Sequence, residues 1–428
     1  MKFLVIVVLL AVGHAKHEKY QGWRSYFVNP SDMLQLSFLG SVARDYEVDF
    51  LSRAAVGREG LALVRPQHQE QFAEALKSRN IAYRIHAEDV KAQLDIDDNL
   101  IQKRREVLEE SDGGSIFDNY QELEKIDAYL EEIAEKYSEL VTLVNSTSSF
   151  EEQPIKYLKI SKTKFEERKP VMVIDGGIHG REWIAPSTVL YAIHKLIVDV
   201  NETDLLENYD WILLPVVNPD GYKYTFTNDR FWSKTRSTDQ HLLSVVCPGV
   251  DANSNFDFFW NTVGISDSPC TENYPGSSAA SEKETQVVTE IIDEYAGRIV
   301  LYVTLHSYGS YVLYPWGHDG SFSNQAFALQ TMGVALANAI YEKSLPEFRR
   351  YIVGNSVLVT GQLTSGSSVD YAHLSGVPIS FNLELPGLGE GSEGFHLDPR
   401  YIKQVGEETW SGIAVAARRA ADLFGDQD

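Results

Sequence analysis

The chain has 428 residues, 43% hydrophobic and 23% charged, with 38 basic against 61 acidic side chains and two cysteines. That length holds one large domain plus a smaller one, and the composition excludes a disordered chain, a collagen-like chain and a disulfide scaffold. A net charge of −23 is the wrong electrostatic footprint for a phosphate-rich partner, so nucleic acid is excluded as a ligand.

Lys2 precedes an apolar run, Phe3 to Val12, which ends at Gly13-His14-Ala15. A basic start, about ten apolar residues and small residues before a break predict a secretory signal peptide over residues 1–15. The run is well short of the ~20 residues that a membrane-spanning helix needs. The expected product is secreted, extracellular and monomeric, with no membrane anchor. In an oxidising compartment the two cysteines, Cys247 and Cys270, are expected to pair. The sequons at Asn145 and Asn201 fit the same compartment.

Residues 16–105 alternate apolar stretches such as Gly60-Leu-Ala-Leu-Val64 with a helix-like one from Gln67 to Ser78, the pattern of a small α+β unit. It closes at Lys103-Arg104-Arg105, ahead of an acidic, Gly-containing stretch. A tribasic cluster at an exposed boundary predicts cleavage by a trypsin-like protease. From about residue 117 the pattern becomes strand, helix, strand, helix. Tyr120 to Tyr137 and Trp183 to Val200 read as helices, while Pro170–Asp175, Trp211–Val217, Arg298–Leu305 and Pro378–Leu385 read as buried strands. Near-continuous apolar strands separated by helices predict an α/β domain over 106–428, with a mixed, largely parallel sheet covered on both faces. Ligands on such sheets bind beyond the carboxyl ends of the strands.

At those ends stand His179 and Glu182, His306, and Glu384. Two imidazoles and a carboxylate suffice to hold one catalytic Zn2+ with a position left open, and a further carboxylate can serve as general base. Other chemistries are poorly supported. The chain has no Gly-x-Ser-x-Gly elbow, no His-Glu-x-x-His helix and no Walker loop, and its one Gly-x-Gly-x-x-Gly match, Gly389 to Gly394, opens no helix.

The order of motifs from residue 117 onward resembles the zinc metallocarboxypeptidases of the pancreatic carboxypeptidase A/B family. The matching segments are Gly177-Ile-His179-Gly-Arg181-Glu182-Trp183, Asn218-Pro-Asp-Gly221, Val250-Asp-Ala-Asn253, Leu305-His306-Ser-Tyr308 and Leu383-Glu384-Leu385. The resemblance implies a proenzyme whose residues 16–105 are an inhibitory prosegment. It makes His179, Glu182 and His306 the zinc ligands and Glu384 the base toward the attacking water. It also implies that Arg181 and Arg230 line the substrate cleft, that Asn253 holds the terminal carboxylate of the peptide, and that Tyr308 walls the subsites. Val369 falls at the base of the specificity pocket, where an apolar residue implies apolar C-terminal residues.

Three positions depart from that pattern. Ser233 stands where the family has an oxyanion-stabilising arginine, Ser254 where it has the arginine that clamps the terminal carboxylate, and Gln362 where it has a mobile tyrosine. A hydroxyl or amide supplies neither the charge nor the fork of a guanidinium. Two readings follow: a peptidase of altered or reduced activity, with Arg230, Lys234 or Arg236 sharing the load, or a non-catalytic relative that keeps zinc and binds peptides. The acidity belongs to residues 106–428, which carry 23 basic against 48 acidic side chains.

Overall fold

The structure is a computed structural model that describes residues 16–110, 115–387 and 394–425. The expected signal peptide and most of the Gly389–Gly394 loop lie outside the described residues. No helix among the described residues is long and apolar enough to cross a membrane.

The N-terminal unit carries strands β1 (Arg24–Asn29), β2 (Asp49–Ser52), β3 (Gly60–Val64) and β4 (Ala82–Ala87), and helices α1 (Met33–Asp45), α2 (Gln69–Ser78) and α3 (Val90–Glu110). Its antiparallel sheet has the order β2-β3-β1-β4. Leu36, Leu39 and Val42 of α1, spaced three apart, pack with Phe72 and Leu76 of α2 on Tyr26, Val28, Ala62 and Val64 of the sheet. Asp32 starts α1 by accepting the Gln35 backbone N–H at 2.9 Å.

Nothing between Val90 and Glu110 interrupts helix α3, because the first glycines follow at 113 and 114. The tribasic cluster, read from the sequence as an exposed break, therefore lies on this helix. Arg104 pairs with Asp398 at 3.2 Å and Arg105 with Glu122 at 2.6 Å, so both arginines are tied to the C-terminal unit.

The C-terminal unit contains α4 (Leu123–Lys136), β5 (Val141–Ser148), β6 (Pro154–Ile160), β7 (Val171–Gly176), α5 (Ile184–Ile197), α6 (Asp204–Glu207), β8 (Asp210–Leu214), α7 (Pro219–Thr227), α8 (Lys283–Tyr295), β9 (Ile299–Ser307), β10 (Tyr311–Tyr314), α9 (Ala326–Lys343), β11 (Ile352–Asn355), α10 (Ser356–Thr360), α11 (Ser368–Leu374), β12 (Ile379–Leu385) and α12 (Ile402–Phe424). Its eight-stranded sheet has the order β11-β10-β12-β9-β7-β8-β6-β5. The central run β12-β9-β7-β8 is parallel, and so is β10 with β11; antiparallel pairs join β10 to β12, β8 to β6 and β6 to β5. The mixed, largely parallel α/β sheet expected from the sequence is the one observed.

Strand alternation decides which residues face which helices. Met172 and Ile174 of β7 pack in one cluster with α4, α5, α9 and α12, whereas Val171 and Val173 pack in another with α8 and α11. Both faces are thus apolar, and each fully buried aliphatic side chain contributes about 1.5–3 kcal/mol. This double burial fixes the strand ends. Glu384 pairs with His306 in the β12–β9 register, and Gly176 with Leu305 in the β7–β9 register.

Candidate metal centre and substrate cleft

Three adjacent parallel strands deliver the candidate ligands. His306 is the penultimate residue of β9, and Glu384 holds the same position on β12. His179 and Glu182 follow β7 in a turn that two glycines permit. Gly177 has φ +66°, and a Cβ at Gly180 would lie 2.5 Å from the Gly221 carbonyl carbon. Asn218 pins this turn: its side-chain oxygen accepts from Gly221 N at 2.8 Å and caps α7, while its amide donates to the Ile178 carbonyl at 3.1 Å. The Asn218–Gly221 motif is the buttress of the ligand turn.

His179 Nδ1 lies 2.9 Å from Glu182 Oε1 and 3.2 Å from His306 Nδ1, and His306 Nδ1 lies 3.1 Å from Glu182 Oε2. His179, Glu182 and His306 form the one group among the described residues whose ligand atoms all converge within 4.8 Å. Glu182 is buried, and two imidazole nitrogens that face each other 3.2 Å apart both lie against its carboxylate. Such a set of two nitrogens and a carboxylate fits zinc. Burial would push His179 down, but the Glu182 and Asp251 carboxylates outweigh it and raise its pKa to about 10. Glu182 is likewise pushed up by burial and pulled further down by the two imidazoles, to about 2. Burial holds the Glu384 carboxyl above its ordinary range.

One residue of this centre was not singled out in the sequence. Asp251 Oδ1 lies 3.2 Å from His179 Nε2, and its other oxygen accepts from the Ser254 hydroxyl at 2.5 Å. A carboxylate on the far nitrogen of a ligand imidazole fixes the tautomer and ring orientation. The motif Val250-Asp-Ala-Asn253 contained the signal, an acid between apolar residues, but no local pattern ties it to a histidine 72 positions away.

The remaining expected residues divide. Arg181 is near the centre and pairs with Asp49 of the N-terminal unit through both terminal nitrogens, at 2.6 and 3.1 Å. Tyr308 follows His306 and packs edge-on against Phe395 at 5.3 Å. Asn253 accepts the Ser368 backbone N–H at 3.0 Å, and Val369 is buried on α11 with its carbonyl accepting from Ser380. Gln362 follows α10, next to Gly361, where Leu36 of α1 packs closely.

Arg230 does not present a free guanidinium to the cleft. It is fully buried, 3.6 Å above the Trp183 ring, and donates to the Arg181 and Phe395 carbonyls. Nor are the other two suggested substitutes placed to share a substrate's charge. Lys234 is buried and donates to the Pro269 carbonyl at 2.6 Å, and Arg236 covers the Tyr224 ring and pairs with Glu151. Cys247 and Cys270 form the expected disulfide, with Cα atoms 4.9 Å apart.

The zinc carboxypeptidase family profile matches residues 126–412, and that of the carboxypeptidase activation peptide matches residues 26–97. The chain belongs to the zinc carboxypeptidase family. A carboxypeptidase B of Helicoverpa zea is 57% identical over 427 residues, covering 99% of this chain and all of the relative. A carboxypeptidase B of Astacus astacus is 38% identical, covering 72% of this chain and 98% of the relative. The crystal structure of carboxypeptidase A from Helicoverpa armigera superposes with a TM-score of 0.88 at 40% identity, covering 95% of this chain and 99% of the other. This member is therefore a zinc metallocarboxypeptidase in proenzyme form, and its N-terminal unit is an activation peptide whose presence implies proteolytic activation and peptide substrates.

The activation peptide lies against the segments that flank the candidate metal centre. Besides the Asp49–Arg181 pair, Ser52 donates to the Tyr308 carbonyl at 3.3 Å, and Arg58 donates to the Gly309 and Ser310 carbonyls at 2.7 and 2.9 Å. These contacts lie just beyond His306.

Proposed function

We propose that this carboxypeptidase is secreted as a monomer, loses residues 16–105 to a trypsin-like protease cutting at Lys103–Arg105, and then removes the final residue of peptides at a reduced rate. The convergence of His179, Glu182 and His306 beside Glu384, at the ends of adjacent strands, carries this reading. His179, Glu182 and His306 would hold the zinc, which when bound would supply Lewis acidity toward the scissile carbonyl and the attacking water. Glu384 takes the proton from that water and returns it to the departing amine. Its raised pKa brings the carboxylate nearer the working pH, and activity falls as pH drops through that value.

Val369 at the pocket base favours apolar final residues, with Asn253 and Tyr308 lining the approach. Ser233 and Ser254 lower the rate, because neither hydroxyl replaces a guanidinium at the developing oxyanion or at the chain end. Cleavage at Lys103–Arg105 requires the end of α3 to unwind, which frees Arg104 from Asp398 and Arg105 from Glu122. The sequons support glycosylation, since Asn145 and Asn201 are both exposed.

The test is to treat the chain with trypsin, measure zinc stoichiometry, and assay peptides with free and amidated ends against the Glu384→Gln variant. One zinc per chain and a loss of about 10³-fold in kcat for Glu384→Gln are expected. Equal rates for the two proteins sink the peptidase reading.

A further inference from the structure

Arg58 of the activation peptide is held unlike a surface cation. The turn that presents it is tight: Arg58 N donates to the Ala55 carbonyl at 2.8 Å, and Gly57 between them has φ +73°. Its guanidinium donates to three backbone carbonyls of the C-terminal unit. One terminal nitrogen reaches Gly309 at 2.7 Å and Ser310 at 2.9 Å, and the other reaches Arg350 at 2.5 Å. The Tyr311 ring faces the same group, with its centroid 5.0 Å from the guanidinium carbon. Three carbonyl oxygens and a ring face make a niche suited to a planar cation with many donors.

The niche belongs to the C-terminal unit and takes its shape from that unit. Successive carbonyls of an extended strand point to opposite sides, so two of them meet one nitrogen only at a kink. Ser310 supplies the kink, with φ +57° just ahead of β10. It is fixed from within: Gly309 N donates to the Leu385 carbonyl at 3.0 Å, and the Ser310 carbonyl also accepts from Ile352 N at 3.0 Å. Glu384 stands opposite Tyr311 in the β10–β12 register, and a Cβ at Gly309 would lie 3.7 Å from that of Glu384. The niche therefore adjoins the reacting centre. Departure of the peptide removes the donor to all three carbonyls at once. Residues 106–428, with 48 acidic against 23 basic side chains, provide a field that draws another cation.

We propose that in the activated enzyme the carbonyls of Gly309, Ser310 and Arg350, with the Tyr311 ring, form a subsite for an arginine side chain of the substrate. That arginine lies upstream of the bond cut, since the final residue goes to the pocket at Val369. The proposal rests on the peptidase reading and adds a second point of selection to it. The rival occupant is Arg349, which lines the same hollow and stays with the mature chain.

The test uses the trypsin-activated chain, freed of trypsin and of the released peptide, with its zinc in place. The probes are neutral peptides of one sequence whose last peptide bond is a ketomethylene, so calorimetry reads binding without cleavage. One arginine is moved through the upstream positions in turn, and citrulline, which keeps its shape without the charge, is compared at each. At one position, or two adjoining ones, arginine should bind about tenfold or more tightly than citrulline, with lysine in between. Tyr311→Leu should cut that preference to about threefold or less, and Tyr311→Phe should keep it, with zinc stoichiometry checking that both variants are folded. A preference below about twofold at every position, or absence of binding by every probe, overturns the proposal. So does an equal preference at all positions, which is the acidic field acting without a site. A preference that survives Tyr311→Leu, or that emerges only with Arg349→Gln, also overturns it, because the cation is then held elsewhere or Arg349 fills the niche. The corresponding ordinary peptides are assayed for hydrolysis in parallel. Absence of cleavage counts against the peptidase reading and leaves the binding result standing.

Discussion

The two flanks of the cleft are built differently. The metal flank is carried by the ends of β7, β9 and β12, whose registers are locked by buried apolar residues on both faces, and the candidate ligand His179 is braced by Asp251. The substrate flank is carried by connections: the segment after α7 that holds Ser233, a short turn at Ala252–Ser254, and the stretch after α10 that holds Gln362. The three positions at which the sequence reading expects a departure from the family pattern, Ser233, Ser254 and Gln362, all fall on this second flank. Strand ends cannot change their chemistry without moving the sheet, whereas a connection can exchange an arginine for a serine at little structural cost. Chemistry and recognition can therefore drift apart within one site.

The sharpest attempt to break this contrast is to place an arginine where the family resemblance expects one. Ser233→Arg is expected to raise kcat of the activated enzyme by about 100-fold with little change in KM, because the guanidinium would act on charge that develops only in the transition state. Ser233 is buried, and its carbonyl accepts from Gly180 N at 3.1 Å, a backbone contact the substitution leaves in place. An unchanged kcat would mean that the substrate flank does not limit the reaction. Steady-state kinetics on activated protein decides between them.

Next in size is the brace on the metal flank. Asp251→Asn is expected to weaken zinc binding by about 10–100-fold, measured by competition with a chelator. The amide keeps the shape but removes the charge that favours a ligand orientation of His179. Zinc affinity equal to that of the native chain would show that the β-strand scaffold alone holds the ligands.

The contrast also explains what the sequence revealed. His179, His306 and Glu384 were legible because each ends an apolar run that reads as a buried strand, and such runs place their ends at one edge of a sheet. The antiparallel pairing of β10 with β12 was not legible, since Tyr311–Tyr314 is too short and too apolar to announce its direction. Asp251 was hidden because its partner lies across the fold. Arg230 looked like a cleft residue by its motif, but Trp183 and two carbonyls draw its side chain into the core. The helical state of Lys103–Arg105 was masked by its charge, which is compatible with a solvated break and equally with a helix that pairs its arginines with Asp398 and Glu122.

The smallest expected effect joins the two flanks. Ser254, which we propose stands at a substrate position, donates its hydroxyl to Asp251 Oδ2 at 2.5 Å while Asp251 Oδ1 faces His179. The hydroxyl thus extends the brace on His179 by one residue. Ser254→Ala leaves a half-buried carboxylate oxygen without that donor, so zinc should pass to a chelator about threefold faster, and Ser254→Thr should restore the native rate. Ser254→Arg should act in both directions at once, tightening the binding of free-ended peptides while releasing zinc as fast as the alanine variant does. If Ser254→Arg tightens peptide binding with no change in zinc release, the hydroxyl contributes nothing to the metal flank. The two flanks would then be independent despite the hydrogen bonds that connect them.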